Sequence, residues 1–308
     1  MARLVADKLH PKARAIVDQI AALPQLPTLT PVEARGRPAP LEAAPEAVGS
    51  VTARTIPGPV GPLAVRIYRP KDALRAALLY FHGGGWVVGS LESADASCRA
   101  LTNRSRCVVI SVDYRLAPEN KFPAAVEDAY AATRWAADNA SDLRIDPARI
   151  AVGGASAGGN LAAAVALVAR DRGGPKIAFQ MLTVPVTELS ARAASYQEFA
   201  EGYGLSRSDM QWYGTHYVRT AADADEPYAS VLRADLHGMP PAFVITAECD
   251  PLRDDGEAYA EKLQKLGIAA RYKRYPGMFH GFMSFPGVLP EAAQAFEDAG
   301  QALREALS

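Results

Sequence analysis

The sequence of 308 residues is long enough to bury a large core without help from disulfides or metal ions. Hydrophobic residues make up 49% of it and charged residues 22%, which is typical of globular proteins and excludes a disordered or fibrous chain. The net charge of −1, from 33 basic and 34 acidic side chains, gives no basic excess for binding nucleic acid or an anionic membrane, so neither is an expected partner.

The N-terminal segment predicts a helix and not a targeting sequence. Residues 1–23 have apolar side chains at helical spacing, with charged residues among them, and lack the unbroken apolar run of a signal peptide. The three cysteines, Cys98, Cys107 and Cys249, form no C-x-x-C pair, which favours buried thiols over disulfide or metal chemistry. We therefore expect a soluble, cytoplasmic protein with no metal site.

After a stretch with six prolines in 24–45, which predicts a loop or a small accessory layer, short apolar runs alternate with helical patterns. Unbroken apolar runs of this length are typical of strands buried on both faces of a parallel sheet. The predicted strands are 63–68, 76–81, 108–114, 149–154, 179–186, 242–248 and 269–275, and the predicted helices lie near 92–105, 123–139, 159–172, 253–267 and 290–307. The alternation predicts an α/β fold: a mostly parallel central sheet flanked by helices.

Residues 188–226 interrupt this alternation. They hold no convincing buried strand but many aromatic side chains. Two interpretations stay open from the residues alone: additional core, or a helical lid over a pocket, formed together with residues 1–45.

The motif Gly154-Ala155-Ser156-Ala157-Gly158 stands between a predicted strand and a predicted helix. This is the strand–turn–helix context of a nucleophile elbow, in which a strained turn exposes the serine hydroxyl at the carboxyl edge of the sheet. Bulkier residues two positions on either side would collide with the neighbouring strand and helix. The positive end of the helix dipole lies beneath the serine and favours developing negative charge. Ser156 is therefore the predicted nucleophile.

A glycine run, His82-Gly83-Gly84-Gly85-Trp86, follows the predicted strand 76–81. Glycines allow backbone N–H groups to turn toward a ligand, as the oxyanion of acyl transfer requires. The run fits neither G-x-x-x-x-G-K-[ST] nor G-x-G-x-x-G, so we do not expect nucleotide binding. The N–H group of Ala157, which follows the predicted nucleophile, supplies a further donor to the predicted oxyanion hole.

A serine nucleophile needs a base, and His280 is the predicted one. It lies between Phe279 and Gly281 in a loop after the last predicted strand, where core packing does not explain a histidine. His82 is expected to hold the glycine loop. The remaining histidines stand in the N-terminal segment, the aromatic insertion and a polar loop, namely His10, His216 and His237.

The base needs an orienting carboxylate, for which Asp250 is the candidate because it directly follows the predicted strand 242–248 and its flanking Cys249. Glu248 is a weaker candidate, and Asp254 and Asp255 fall inside the next helix, where surface charge explains them. The chain order Ser156, Asp250, His280 is that of α/β-hydrolases and not that of chymotrypsin or subtilisin.

Several blocks together carry a family resemblance: HGGGW at 82–86, DYRLAPE at 113–119, FPAAVEDAY at 122–130, SAGGNLAA at 156–163, DPLRD at 250–254 and HGF at 280–282. On these blocks the chain resembles the bacterial hormone-sensitive-lipase family (family IV) of carboxylesterases, in the α/β-hydrolase superfamily. The resemblance implies a core of residues 46–187 and 227–308, a cap formed by 1–45 and the insertion 188–226, and no cofactor. It also implies oxyanion donors among Gly83, Gly84 and Gly85, with Ala157.

The resemblance further implies hydrolysis of short-to-medium acyl esters, which are small-molecule substrates. The aromatic insertion predicts a largely apolar substrate pocket. Its expected lining is Trp86, Phe199, Tyr203, Leu205, Met210, Tyr213 and Phe282. Fold and triad do not fix the leaving group, so an amidase, lactonase or deacetylase is an alternative. A non-catalytic receptor on the same scaffold is a further alternative. His280 argues against it, since similar plant receptors lack the catalytic histidine. A homodimer is compatible with the sequence, which does not demand one.

One position departs from the family pattern. Members usually carry Asp directly before the nucleophile, whereas this chain has Ala155. The departure leaves the predicted triad intact, so we expect an altered rate or stability and not lost chemistry.

Overall fold

The computed structural model describes residues 8–37 and 45–308, so the parts of the predicted N-terminal helix and cap segment in 1–7 and 38–44 lie outside the described residues. Within these ranges, eight strands form one sheet in the order β1-β2-β4-β3-β5-β6-β7-β8. The strands are β1 (Ser50–Pro57), β2 (Pro62–Arg69), β3 (Ala77–Phe81), β4 (Val108–Val112), β5 (Ile150–Ala155), β6 (Phe179–Thr183), β7 (Ala242–Cys249) and β8 (Ala270–Phe279).

The sheet is parallel from β4 to β8, and only β2 runs antiparallel to its neighbours β1 and β4. The predicted, mostly parallel sheet is therefore confirmed. Seven strands lie where the sequence predicts them, but β1 was not predicted. All but one of its residues are at least partly exposed, so it lacks the buried apolar run that marks the others.

The helices of the described residues are α1 (Pro11–Ala21), α2 (Pro31–Arg35), α3 (Asp95–Ser105), α4 (Ala124–Asp138), α5 (Ala157–Asp171), α6 (Ser195–Glu198), α7 (Arg207–Tyr217), α8 (Arg253–Lys265) and α9 (Pro290–Leu307). Six of the helices, α1, α3, α4, α5, α8 and α9, lie close to predicted positions, whereas α2 falls in the proline-rich stretch and α6 and α7 in the insertion 188–226. In the part of the chain that the structure describes, none of these helices has the length and apolar character needed to cross a membrane.

The core has two layers, one on each face of the sheet. Successive side chains of β3 alternate between them: Leu79 and Phe81 pack with helices α4, α5 and α8, while Leu78 and Tyr80 pack with α1, α3 and α9. This alternation follows from the two-residue period of a strand. The helices cover both faces of the sheet, so the loops that follow the parallel strands meet at its carboxyl edge.

The N-terminal segment contacts the aromatic insertion. Trp212 on α7 donates its Nε1–H to the Leu29 carbonyl at 3.2 Å, and Lys8 pairs with Glu198 on α6. The Arg14 guanidinium also donates to the carbonyl of residue 202 at 3.1 Å. The segment and the insertion therefore form one continuous layer over part of the core.

Candidate active site

Ser156 occupies the sharp turn between β5 and α5. Its backbone angles are φ 57° and ψ −117°, a conformation that non-glycine residues adopt at a cost. The turn requires the two flanking glycines, because an added Cβ would lie 2.4 Å from the Phe81 carbonyl oxygen at Gly154 and 1.9 Å from it at Gly158. The absence of side chains at Gly154 and Gly158 therefore lets the serine turn pack directly against the end of β3.

Three side chains, each from a residue that directly follows a different strand, meet at this turn. Ser156 Oγ lies 3.0 Å from His280 Nε2, and His280 Nδ1 lies 2.8 Å from Asp250 Oδ2. In the tautomer that fits both contacts, Nδ1–H donates to the carboxylate and Nε2 accepts from the serine hydroxyl. Asp250 is fully buried, and its other oxygen accepts the backbone N–H of Leu252 at 2.8 Å. The carboxylate is thereby fixed in one orientation.

The parallel sheet explains why residues so distant in sequence come together. Asp250 directly follows β7 and His280 directly follows β8, and the last pair of these two strands is Cys249 with Phe279. Ser156 directly follows β5 in the same way. All three side chains therefore stand at the carboxyl edge of the sheet, where the ligands of open α/β folds bind.

The glycine run after β3 faces the serine turn. Gly83 lies so close to it that an added Cβ would be 3.1 Å from the Ala155 carbonyl oxygen and 3.7 Å from the Cβ of Ser156. Among the described residues, the amides of Gly83, Gly84 and Gly85 donate to no backbone carbonyl. The Ala157 amide is the first of α5 and has no partner within the helix. These amides are available to an oxygen bound beside Ser156.

Positive φ values at Gly84 (115°) and Gly85 (58°) turn this loop back on itself. An added Cβ at Gly84 would lie 2.2 Å from the Val88 carbonyl oxygen, and one at Gly85 would lie 2.0 Å from the Tyr213 ring. The glycines are required by this packing, because a side chain at Gly84 would collide with Val88 in the same loop and one at Gly85 would collide with Tyr213 of α7.

His82 holds this loop through its ring and its backbone carbonyl. Its ring stacks on Tyr114 with ring centroids 4.2 Å apart, and the Tyr114 hydroxyl donates to the His82 carbonyl at 2.8 Å. The contact of 2.7 Å between His82 Nδ1 and the Gly83 carbonyl ties the ring to the glycine run. Burial lowers the pKa of His82 to about 4, so the ring is neutral at physiological pH.

The other histidines lie away from the serine. His10 caps α1 by accepting the Lys12 amide, at 3.3 Å. His216 Nδ1 contacts the Trp212 carbonyl at 2.8 Å on α7, and the exposed His237 contacts Asp235. Local contacts account for each of them.

The alternative carboxylates have other partners. Glu248 accepts the Gly277 amide at 2.7 Å, and Asp254 accepts the Ser195 amide at 2.9 Å. The buried Asp255 accepts the amides of Thr187 and residue 188, and burial raises its pKa to about 7. The prediction that Asp255 is a surface charge is therefore wrong, because the side chain is buried. It joins the start of α8 to the beginning of the insertion.

A cavity of about 760 Å³ opens in front of Ser156 and His280. Of the seven predicted lining residues, four line it: Trp86, Leu205, Met210 and Tyr213. The ring of Trp86 stacks on Tyr217, with centroids 4.0 Å apart. Residues of the insertion and of the glycine loop thus form its walls.

The structure does not bring Phe199, Tyr203 and Phe282 to this lining. Phe199 is fully buried, meets Tyr203 edge to face at 4.9 Å, and packs in the core layer that contains α1. These two side chains bury their apolar surface beneath the N-terminal segment instead of facing a ligand. Phe282 is fully buried and lines a smaller chamber beside the main cavity.

Some residues that line the cavity were not predicted. Val184 comes directly after β6, Val186 is close behind it, and Tyr80 is the next-to-last residue of β3. Their position was the available signal, since residues at and just past the carboxyl ends of parallel strands face the ligand crevice. Aromatic content alone pointed to the insertion instead.

The geometry can perform acyl transfer. A hydroxyl, an imidazole that can accept its proton and a buried carboxylate that orients the imidazole form one chain of contacts. Free backbone amides lie on one side of the hydroxyl and an open cavity in front of it. Fold and site together define an α/β-hydrolase.

Comparisons with known proteins agree. Residues 78–284 match the family model described as alpha/beta hydrolase fold. The chain is 42% identical over 252 residues to the carboxylesterase NlhH of Mycobacterium tuberculosis, covering 80% of this chain and 79% of the relative. It is 46% identical over 227 residues to an arylesterase of Saccharolobus solfataricus, covering 73% and 74% of the two chains.

Among solved structures, the chain is similar to the hyperthermophilic esterase from Pyrobaculum calidifontis. The two share 43% sequence identity with a TM-score of 0.89, covering 97% of this chain and 98% of the other. This chain belongs to the α/β-hydrolase family that the matching model describes. The resemblance to carboxylesterases stated from the sequence motifs is confirmed by these relatives.

Proposed function

We propose that the protein hydrolyses short-to-medium acyl esters by a two-step acyl transfer, with Ser156 as nucleophile, His280 as general base and acid, and Asp250 as the orienting carboxylate. The observation that carries this proposal is the chain of contacts from Ser156 Oγ through His280 to Asp250, at 3.0 and 2.8 Å. Similarity to named carboxylesterases and esterases supports the same reaction class.

In the first step, Ser156 Oγ bonds to the ester carbonyl carbon while its proton passes to His280 Nε2. The carbonyl oxygen becomes an oxyanion, which accepts hydrogen bonds from the Ala157 amide and from amides among Gly83, Gly84 and Gly85. One such donor is worth roughly 10²–10³-fold in rate in enzymes of this kind.

Collapse of this intermediate breaks the bond to the alcohol oxygen, which takes the proton from His280 Nε2. The acyl group stays on Ser156 Oγ. A water molecule then gives its proton to His280 and attacks the acyl carbon, and the carboxylic acid leaves as Oγ regains the proton. Asp250 stays ionised throughout and stabilises the imidazolium that forms in each step.

The cavity has room for an apolar acyl ester. Leu205, Met210 and Tyr213 contribute apolar walls from the insertion, and Arg35, Arg37 and Glu92 add charged groups to the lining. A volume of about 760 Å³ accommodates a short or medium acyl group. Residues 8–37 and 188–226 act as a cap over this cavity, and the division into cap and core is part of the proposal. The homodimer and the cytoplasmic location expected from the sequence stay predictions.

Labelling with diisopropyl fluorophosphate, followed by peptide mass analysis, tests the nucleophile. We expect one adduct, on Ser156, with loss of ester hydrolysis in proportion to labelling. The other serines of the cavity lining provide the internal control and should carry no adduct: Ser90, Ser93, Ser97 and Ser284. An adduct on any of these serines without one on Ser156 would refute the proposed nucleophile.

A matched pair of histidine variants tests the base. His280→Asn should lower kcat on p-nitrophenyl butyrate by several orders of magnitude. His237→Asn makes the same chemical change at an exposed site whose side-chain contact is with Asp235, and should leave kcat unchanged. Similar activity in the two variants would contradict the role of His280.

A comparison of a matched ester and amide tests the leaving group. Faster turnover of the amide than of the ester would contradict the proposed ester specificity.

A further inference from the structure

Arg35, the last residue of α2, links the N-terminal segment to two loops of the core. Its Nε donates to the Val87 carbonyl at 2.9 Å, and its Nη2 donates to the Ala117 carbonyl at 2.8 Å. Nη1 and Nη2 also donate to the two carboxylate oxygens of Glu119, at 2.8 and 2.6 Å. All three nitrogens of the guanidinium are therefore engaged, and hydrogen bonds fix the side chain in one orientation.

The two carbonyls that accept from Arg35 have no backbone partner. Val87 and Ala117 are both fully buried. Among the described residues, no backbone amide donates to either carbonyl. A buried carbonyl that lacks a hydrogen bond destabilises the conformation that buries it. The guanidinium therefore stabilises both loops in the positions that they occupy.

Val87 belongs to the turn that carries the glycine run. The amides of Val87 and Val88 donate to the Gly84 carbonyl at 3.0 and 2.9 Å, and these two hydrogen bonds close the turn. Trp86 has a positive φ of 61°, a conformation that residues with a side chain adopt at a cost. Such a conformation persists only where neighbouring contacts hold it. Arg35 supplies one of these contacts, at the residue that follows Trp86.

Ala117 contacts the same turn from another loop. Its amide donates to the Trp86 carbonyl at 2.9 Å, while its own carbonyl accepts from Arg35. Arg35 therefore closes a ring of contacts that joins the glycine turn to the loop at Ala117. The start of the glycine run is held separately, by His82.

Glu119 keeps the guanidinium in this position. A bidentate contact with a carboxylate fixes the plane of the guanidinium, so its remaining N–H groups stay directed at the two carbonyls. Hydrogen bonds from Arg35 lower the pKa of Glu119 to about 2, so the carboxylate stays ionised at neutral and mildly acidic pH. A lysine has no planar fork and cannot hold the same three partners in fixed directions.

We infer that Arg35 is a positioning residue for the proposed oxyanion hole: through Val87 and Ala117 it holds the glycine turn in the conformation that directs its amides toward an oxygen bound beside Ser156. The inference rests on the proposed esterase function and extends it, since it gives the N-terminal segment a part in the chemistry besides covering the cavity. The triad makes its own contacts without Arg35. Loss of the guanidinium should therefore weaken the stabilisation of the oxyanion and leave the triad in place.

Arg35→Met tests the inference, because methionine keeps an apolar stem and removes every donor. The value of kcat/KM on p-nitrophenyl butyrate should fall by about 10–100-fold, since a misplaced donor costs less than the roughly 10²–10³-fold of a deleted one. The fall should lie in kcat more than in KM. Values are normalised to the protein that diisopropyl fluorophosphate labels to completion, so that misfolded protein does not count.

Arg172→Met is the matched control. Arg172 makes an equivalent bidentate contact with Glu127, at 2.8 and 2.6 Å, and caps the opposite end of α5 from Ser156. This variant loses the same kind of ion pair far from the glycine turn, so kcat/KM should not change.

Two further variants separate the ion pair from the carbonyl contacts. Glu119→Gln weakens the ion pair but leaves Arg35 able to donate to both carbonyls, so its loss of kcat/KM should be much smaller than that of Arg35→Met. Arg35→Lys restores the charge beside Glu119 without the planar fork, so its kcat/KM should lie between those of Arg35→Met and the unaltered protein.

A pair of inhibitors reports on the oxyanion directly. Butyl trifluoromethyl ketone accepts a bond from Ser156 Oγ to its carbonyl carbon, the hydroxyl proton passes to His280, and the carbonyl oxygen becomes an oxyanion in the hole. The corresponding alcohol, in which a hydroxyl replaces the carbonyl group, has a similar shape and forms no oxyanion. In Arg35→Met, the inhibition constant of the ketone should rise by about the factor by which kcat/KM falls, because the ketone adduct resembles the transition state. The inhibition constant of the alcohol should not change.

The inference is wrong if Arg35→Met keeps the kcat/KM of the unaltered protein, or if Glu119→Gln or Arg172→Met loses as much as Arg35→Met does. It is equally wrong if the alcohol and the ketone lose affinity by the same factor. In that case Arg35, which lines the cavity, acts on any bound molecule and not on the oxyanion. Failure of the proposed function has a different signature: the unaltered protein then hydrolyses no ester and Ser156 carries no adduct.

Discussion

The strained backbone of Ser156 has a measurable cost in stability. At φ 57° and ψ −117°, this residue occupies a region that glycine enters freely and other residues do not. Such a conformation costs on the order of 1–3 kcal/mol. Replacing the serine by glycine should release this free energy, whereas replacing it by alanine removes the hydroxyl and keeps the strain. The free energies of unfolding of the two variants therefore differ mainly by the backbone strain at residue 156.

Part of the gain is offset in the unfolded state, because glycine makes the unfolded chain more flexible by roughly 0.4–1 kcal/mol relative to alanine. The expected balance is that Ser156→Gly is more stable than Ser156→Ala by about 1 kcal/mol. For a chain of this length, that corresponds to a melting temperature about 2 °C higher. Both variants should lack ester hydrolysis, so the stability gain comes with loss of the proposed nucleophile.

Urea unfolding followed by far-ultraviolet circular dichroism measures the difference, with both variants at the same pH. A control is available at the half-buried Ala131, in the middle of helix α4. There, alanine to glycine should lower the free energy of unfolding by about 0.5–1 kcal/mol. Backbone strain at Ser156 is refuted if Ser156→Gly proves no more stable than Ser156→Ala while the Ala131→Gly control behaves as expected.

Further predictions concern the triad, the glycine loop and the serine turn. Asp250→Asn should retain the fold but lower kcat by a factor on the order of 10⁴, because an amide no longer holds His280 in the tautomer that accepts the serine proton; a loss below tenfold would contradict this role. The pKa of about 4 at His82 lies below its ordinary 6.5, so the unfolded chain binds a proton that the folded chain does not. Because of this residue, the free energy of unfolding should fall by about 3 kcal/mol from pH 6.5 to pH 4. In urea titrations at the two pH values, His82→Gln should show a decrease that is smaller by this amount. Gly158→Ala places a Cβ 1.9 Å from the Phe81 carbonyl oxygen, so both thermal stability and turnover should drop, and an unchanged melting temperature would show that the turn relaxes more easily than its packing indicates.

Much of the core could be predicted because the strands that build it are buried on both faces. Strands such as β5, with five of its six residues buried, leave an unbroken apolar run in the sequence. Strand β1 leaves no such signal, since its partner β2 covers one edge and solvent reaches most of its side chains. Its place is set by backbone pairing with β2, which single-sequence periodicity does not record.

The candidate triad could be predicted for a related reason. Ser156, Asp250 and His280 each stand one residue past a strand, so the order of strand ends along the chain is enough to bring them to one edge. Pocket walls depend instead on how the insertion folds over the core. Phe199 and Met210 are both apolar residues of that insertion, yet one is fully buried beneath the N-terminal segment and the other lines the cavity. Composition does not distinguish the two environments.

The pairing of β7 with β8 ties the proposed chemistry to the outermost part of the sheet. Strand β8 has a partner on one side only within the described sheet, and its last paired residue, Phe279, immediately precedes His280. Outer strands open locally at a lower free energy than central ones. Opening of this strand would carry the imidazole away from Asp250 while β3, β5 and their helices remain folded. Loss of catalysis in rising urea should thus come before loss of helical structure, and enzyme activity becomes a local probe of the sheet border.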